Sequence, residues 1–206
     1  MMEYQTVAEQ GCAEFTEKHS RFIGYASPVQ SEEEALSFLR AIKTKHWDAT
    51  HNVYAYCVRE GQIQRYSDDG EPQGTAGIPV LDVIRKSGVT DTVVVVTRYY
   101  GGTLLGAGGL VRAYSHGASI ALEQAKIITM RTCVMAEVRC DYSQYGSLST
   151  LIPKCGGTID DTDFTDDVNI YFHMSDTILP EFERKLADVT CGQSKILFSG
   201  EKFFKF

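Results

Sequence analysis

Residues 93–114 read VVVVTRYYGGTLLGAGGLVRAY. The valines make Thr92 to Thr97 the strongest strand signal in the chain. An unbroken apolar run of this kind suits a strand buried on both faces. A long helix follows from about Ala107 to Ala125, with Leu110, Val111, Tyr114, Ala118, Ala121, Leu122 and Ala125 on one side. Upstream, residues 67–79 read SDDGEPQGTAGIP, and nine of the 18 glycines fall within residues 67–114. Inside regular structure a glycine costs about 0.5–1 kcal/mol relative to alanine. Its concentration here marks a place where bare backbone is needed, either for a ligand or for close packing.

The segment between strand and helix carries the candidate chemistry. Arg98, Tyr99, Tyr100, Gly101 and Gly102 follow the strand, a favoured ligand position in open α/β sheets. Gly106, Gly108 and Gly109 precede the helix, where exposed N–H groups and the positive end of the dipole suit phosphate. Arg98 and Arg112 offer bidentate contacts to such an anion. The spacing is neither GxxxxGKS nor GxGxxG, so both nucleotide fingerprints are absent. Asp68, Asp69 and Glu71 offer a general base or Mg²⁺ ligands, or an ordinary turn that pairs with Arg98 or Arg112. His51 is a second candidate base or phosphate contact, with a structural role as its alternative. Tyr54, Tyr56, Tyr66, Tyr99 and Tyr100 form either a stacking platform for bases or buried sheet positions. His116, inside the long helix, is read as structural. No metal site and no cofactor are expected.

Working outward, Thr6 to Thr16 and Arg21 to Val29 carry strand-type residues. Ser31 with Glu32, Glu33 and Glu34 forms a capping pattern. The helix it opens places Ala35, Phe38, Leu39 and Ile42 at helical spacing. His51 to Arg59 and Gln62 to Ser67 read as a hairpin around Glu60-Gly61. Pro79 suits the first turn of a second helix, which Gly88 closes.

The C-terminal third has its own succession of elements. A strand runs from Cys133 to Cys140, and Ser143 is read as the cap of a helix that Gly156-Gly157 stops. Strands Thr158 to Phe164 and Val168 to Met174 follow. Asp176 and Pro180 open a helix carrying Leu179, Phe182, Leu186 and Val189, and Lys195 to Phe206 ends as a strand. This β-α-β-β-α-β order is that of a ferredoxin-like sandwich. The expectation is an α+β chain with domains at 1–131 and 132–206.

Composition narrows the function classes. Of the 206 residues, 43% are hydrophobic and 23% charged, as in an ordinary globular protein. No apolar run is long enough for a membrane span and no signal peptide is visible, so a cytosolic protein without a membrane partner is expected. The net charge is −7, shared between both parts, so any RNA contact needs a local patch. The six cysteines show no CxxC or zinc spacing. They are read as reduced, mostly buried thiols, not as a disulfide framework.

SDDGEPQGTAGIP, the RYYGGTLLGAGGLVRAY run and the upstream HNVYAY together resemble the IMPACT/YigZ family, over nearly the whole chain. The resemblance implies an N-terminal domain of the ribosomal protein S5 domain 2-like fold. It implies a C-terminal domain like elongation factor G domain V. Eukaryotic members restrain a stress-activated kinase of translation initiation with the help of an additional RWD domain. No such domain is seen in this sequence, and that role is not carried over. The expected function is a translation-associated regulatory protein that binds RNA, the ribosome or a translation-related protein. The alternative is an enzyme acting on a small phosphorylated or nucleotide-like substrate at the Gly/Arg-rich loop. A third reading makes Arg98 and its acidic partners a conformational keystone.

Overall fold

The computed structural model describes residues 2–205. The chain begins with β1 (Glu3–Val7) and divides into two compact units. Tyr4–Thr129 forms one unit; the other begins at Met130 and takes in Met2 and Glu3. Those two residues belong to the second unit because Thr132 donates its backbone N–H to the Met2 carbonyl (3.0 Å) and Arg131 bonds Glu3 (3.1 Å).

The first unit is built on a sheet of order β2-β3-β6-β4-β5. Its strands are β2 (Gly11–Glu17), β3 (Ser20–Pro28), β4 (His51–Val58), β5 (Ile63–Ser67) and β6 (Thr92–Tyr99). The strand-type residues from Thr6 to Thr16 therefore split into β1 and β2. Every pairing in this sheet is antiparallel. The strand-end argument borrowed from open parallel sheets consequently does not apply, and the site has to be argued from its own geometry.

Central β6 is covered on both faces. Val94 and Val96 pack under α2 (Gly77–Lys86) and α3 (Ala107–Ala125), whereas Val93 and Val95 face α1 (Glu32–Lys45). All four valines are fully buried, each worth about 1.5–3 kcal/mol relative to exposure. Ser31 caps α1 by accepting from the Glu34 N–H at 3.2 Å. Gly88, at φ 70°, follows the end of α2. Helix α3 lies close on the sheet because Gly24 and Gly117 face each other. A Cβ on Gly24 would overlap the Gly117 carbonyl.

The second unit takes β7 (Ile127–Cys140) from Met130 onward, then α4 (Tyr142–Lys154), β8 (Thr158–Phe164), β9 (Val168–Met174), α5 (Leu179–Thr190) and β10 (Ile196–Lys205). Its antiparallel strands lie in the order β10-β7-β9-β8. Phe172, Ile170 and Val138 meet Leu148, Ile152, Phe182 and Leu186 of the helices in one core.

Three local expectations need correction here. Asp141, not Ser143, caps α4: its carboxylate accepts from the Gln144 N–H (3.0 Å) and from the Ser143 hydroxyl (2.6 Å). Helix α5 starts at Leu179 without a side-chain cap from Asp176, and it buries Thr190 while Val189 is exposed. Strand β7 starts six residues before Cys133, at Ile127. Of the cysteines, Cys57, Cys133 and Cys140 are buried, whereas Cys12 and Cys191 are exposed, so burial holds for fewer than expected.

Candidate functional site

One end of the first sheet gathers four connections. They are the β2–β3 turn at Lys18-His19, the α1–β4 loop at residues 46–50, the β5–α2 loop at 68–76 and the β6–α3 loop at 100–106. The register shows why: His51 at the start of β4 pairs with Arg98 at the end of β6, and Arg21 at the start of β3 pairs with Tyr99. The expected site residues from His51 to Arg112 therefore do converge on one end of the fold.

The acidic turn is spent on the protein itself. Asp68 accepts from the backbone N–H groups of Gly74 (2.9 Å), Ala76 (3.1 Å) and Gly77 (2.8 Å), so its carboxylate fills the N-terminus of α2. Asp69 accepts from the Asn52 N–H (2.6 Å) and pairs with Lys43 (2.8 Å). Glu71, 8% exposed, accepts from Arg98 (2.6 Å) and from the Tyr114 hydroxyl (2.7 Å). Burial, then the hydrogen bond to Glu71 and its charge, push the Tyr114 phenol far above the usual range. None of the three carboxylates is left as an unengaged base or metal ligand.

Arg98 is 4% exposed and lies between the rings of Phe22 (5.4 Å) and Tyr100 (5.3 Å). Its Nη2 donates to the Ser20 hydroxyl (3.2 Å), which also accepts from the Gly101 N–H (3.2 Å). Its Nε has no partner. Arg98 therefore braces the glycine segment from below instead of reaching out of it. His51 donates from Nδ1 to the Asp69 carbonyl (2.8 Å), and its Nε2 lies 3.7 Å from Glu71. It completes the same buried network.

The tyrosines do not assemble into one platform. Tyr54 and Tyr56 stack on each other (6.1 Å), and the Tyr56 hydroxyl donates to Glu32. Tyr66 packs toward α2, where a Cβ on Gly77 would touch it. Alternation along adjacent strands sends these rings to different faces. Tyr99 meets His46, and Tyr100 remains 45% exposed beside Arg98, with Tyr66 exposed to the same degree elsewhere. His116 is exposed on α3 with its ring edge against Phe15 (4.6 Å).

The glycines divide between packing and exposure. Gly101 abuts the β2–β3 turn so closely that a Cβ would overlap the His19 carbonyl. Gly106, with φ 72° and ψ 164°, sits at the N-cap of α3 in a conformation essentially reserved for glycine, and it offers no side-chain cap. Gly102 and Gly106 have open space beside them, and a Cβ on Gly108 would meet only Arg112 Nη1, at 3.6 Å. Arg112 is exposed over this first helical turn and has no ion pair among the described residues. Two helix N-termini thus point to the same end of the sheet: that of α2 is filled by Asp68, and that of α3 is open.

Residues not anticipated from sequence complete the end. Lys18 and His19 adopt positive φ (44° and 66°) in the turn beside Gly101. His46, 8% exposed, links Tyr25 (2.7 Å) and Tyr99 (2.9 Å). Burial, with Lys45 and Arg21 nearby, lowers its basicity, opposed by Asp48. Trp47, the chain's sole tryptophan, is 84% exposed. Its uniqueness and its place between a helix end and a strand are the signals that would have drawn attention to it.

Among the described residues no helix is long and apolar enough to cross a membrane. Residues 18–122 match the Impact N-terminal domain, and residues 138–193 match a domain of unknown function, DUF1949. The chain is 37% identical to IMPACT family member YvyE of Bacillus subtilis (strain 168), covering 94% of this chain and 89% of that one. It is also 37% identical to IMPACT family member YigZ of Escherichia coli (strain K12), covering 87% and 90%. A solved structure described as a crystal structure of an hypothetical protein is 34% identical. It superposes with a TM-score of 0.62 over 96% of this chain and 97% of that one. With both domain matches and relatives matched over most of their length in agreement, the chain belongs to the IMPACT family.

Proposed function

We propose that the protein is a translation-associated RNA-binding or ribosome-binding factor, and that its first unit engages RNA phosphates at the open N-terminus of α3. The observation that carries the reading is the contrast between the two helix starts. Backbone N–H groups at a helix start favour an anion. At α2 that anion is Asp68 of the chain itself; at α3 no side chain supplies one, while Arg112 stands exposed one turn in and Lys18 lies in the neighbouring turn. The net charge of −7 confines such contacts to this local patch.

The likeness of the chain to an S5 domain 2-like module followed by an elongation factor G domain V-like module supports a place near the ribosome. The β-α-β-β-α-β order of the second unit supports that likeness. Catalysis on a small phosphorylated substrate finds less support, because Asp68, Asp69 and Glu71 are each engaged by internal donors.

Ribosome co-sedimentation at low and moderate salt tests the reading. The wild type travels with ribosomes at low salt and less so at moderate salt, as counterion release requires. Arg112→Glu with Lys18→Glu weakens the association and flattens its salt dependence. A wild-type protein that stays at the top of the gradient at both salts would refute the proposal.

A further inference from the structure

We infer that Trp47 is a stacking platform for an unpaired nucleotide, so that the RNA engaged at this end of the fold is single-stranded at the point of contact. The inference rests on the RNA reading above and names the form of RNA that the site takes.

The indole is 84% exposed, yet the loop that carries it is firmly held. Tyr25 donates its hydroxyl to His46 Nε2 (2.7 Å), and His46 Nδ1 donates to the Tyr99 hydroxyl (2.9 Å). Tyr99 in turn donates to Asp48 (3.1 Å). Because Tyr99 gives its proton to Asp48, it can only accept from His46, which fixes the tautomer and the direction of the whole chain. On the backbone, the Ala49 N–H bonds the His46 carbonyl (3.1 Å) and the Thr50 N–H bonds the Arg98 carbonyl (2.9 Å). The Tyr100 N–H then bonds the Thr50 hydroxyl (3.0 Å).

Both neighbours of Trp47, His46 and Asp48, are therefore pinned to Tyr99, and Thr50 further along the loop is pinned to Tyr100. The Trp47 ring itself has no aromatic or cationic partner among the described residues. A large apolar ring presented rigidly and left uncovered is the arrangement that loses least entropy on stacking. Lys43 and Lys45 lie in the last turn of α1, where Lys43 pairs with Asp69 (2.8 Å) and Lys45 lies over the Tyr25 ring (5.0 Å). Bases inside a duplex have both faces covered by their neighbours, so only an unpaired base offers the indole a free face.

The single tryptophan makes the test direct. A short unstructured single-stranded RNA is titrated into wild-type protein while Trp47 emission is followed, alongside the duplex it forms with its complement. Saturable quenching by the single strand is expected, with weaker binding and little quenching by the duplex. Trp47→Ala should weaken single-strand binding, measured by anisotropy of labelled RNA, about 5- to 100-fold. Trp47→Phe should retain most of it, and neither change should move thermal unfolding.

If Trp47→Ala binds as tightly as wild type while the Lys18/Arg112 charge reversals lose binding, the stacking inference falls and the RNA reading stands. If single strand and duplex bind alike without quenching, the inference also falls. Ribosome association that survives ribonuclease but is lost in Trp47→Ala would assign the ring to a protein partner and overturn it. A wild type that binds neither RNA removes both readings.

Discussion

Replacing Arg98 by alanine tests whether the buried pair with Glu71 is what fixes the loops at this end of the fold. The two side chains are 5% and 3% exposed and 2.6 Å apart. Removing one member of a buried pair costs about 3–5 kcal/mol, because the remaining charge is left in low dielectric. Alanine also removes a guanidinium held between Phe22 and Tyr100, and it deprives the Ser20 hydroxyl of a donor. Against these losses, the unpartnered Nε disappears, and an unsatisfied buried donor costs about 1–3 kcal/mol. The balance is a net destabilisation of about 2–4 kcal/mol, a large share of a total near 5–15 kcal/mol.

Urea denaturation followed by far-ultraviolet circular dichroism reads this as a lowered midpoint at unchanged slope. Arg98→Met with Glu71→Leu should recover only part of the loss, since it removes the stranded charge but leaves the buried Tyr114 hydroxyl without its acceptor. An Arg98→Ala variant within about 1 kcal/mol of wild type would refute the reasoning. It would mean that Glu71 finds a proton or water there at no cost.

Two further outcomes follow from the same geometry. Asp68→Ala strips three backbone N–H groups at the start of α2 of their acceptor, and should cost about 1–2 kcal/mol, as loss of a strong N-cap does; a urea midpoint equal to wild type would contradict it. Alkaline titration of tyrosinate absorbance should be biphasic, because Tyr4, Tyr25, Tyr56, Tyr99 and Tyr114 are all raised, mainly by burial, Tyr25 to about 12. The folded state holds these protons more tightly than the unfolded state. Their stabilising contribution is therefore complete below pH about 10 and is lost as pH rises through the raised values, giving unfolding in strong alkali. A single transition centred near the ordinary tyrosine value would oppose this.

Much of the fold was legible because it is written in local signals. The bounds of α3, β8 and β9 follow from helical spacing, alternation and glycine stops in the residues themselves. Errors arose where two local signals compete: Ser143 and Asp141 both suit a cap, and only the approach of the Gln144 N–H selects Asp141. The unbroken valines at Val93 to Val96, which mark a strand buried on both faces, did not reveal that its neighbours run antiparallel, since both kinds of sheet can be covered twice. The candidate site was legible as a location but not as an arrangement. Glu71 was one of three acids in a turn, and nothing local distinguishes the one that meets Arg98 from the one that fills a helix start.

The sequence by itself determined the succession of elements, the acidic balance and the family, because propensity, periodicity and motif act over a few neighbouring residues. Tertiary structure decided what each polar group does. It brought Ser20 to Arg98 across 78 residues and Tyr99 to His46 across 53. It buried one arginine and left another, Arg112, on the surface. It also anchored the loop around Trp47 while leaving the indole in solvent. Burial and hydrogen-bond geometry depend on which distant segments meet, and that is fixed only when the sheet closes and the helices pack on it.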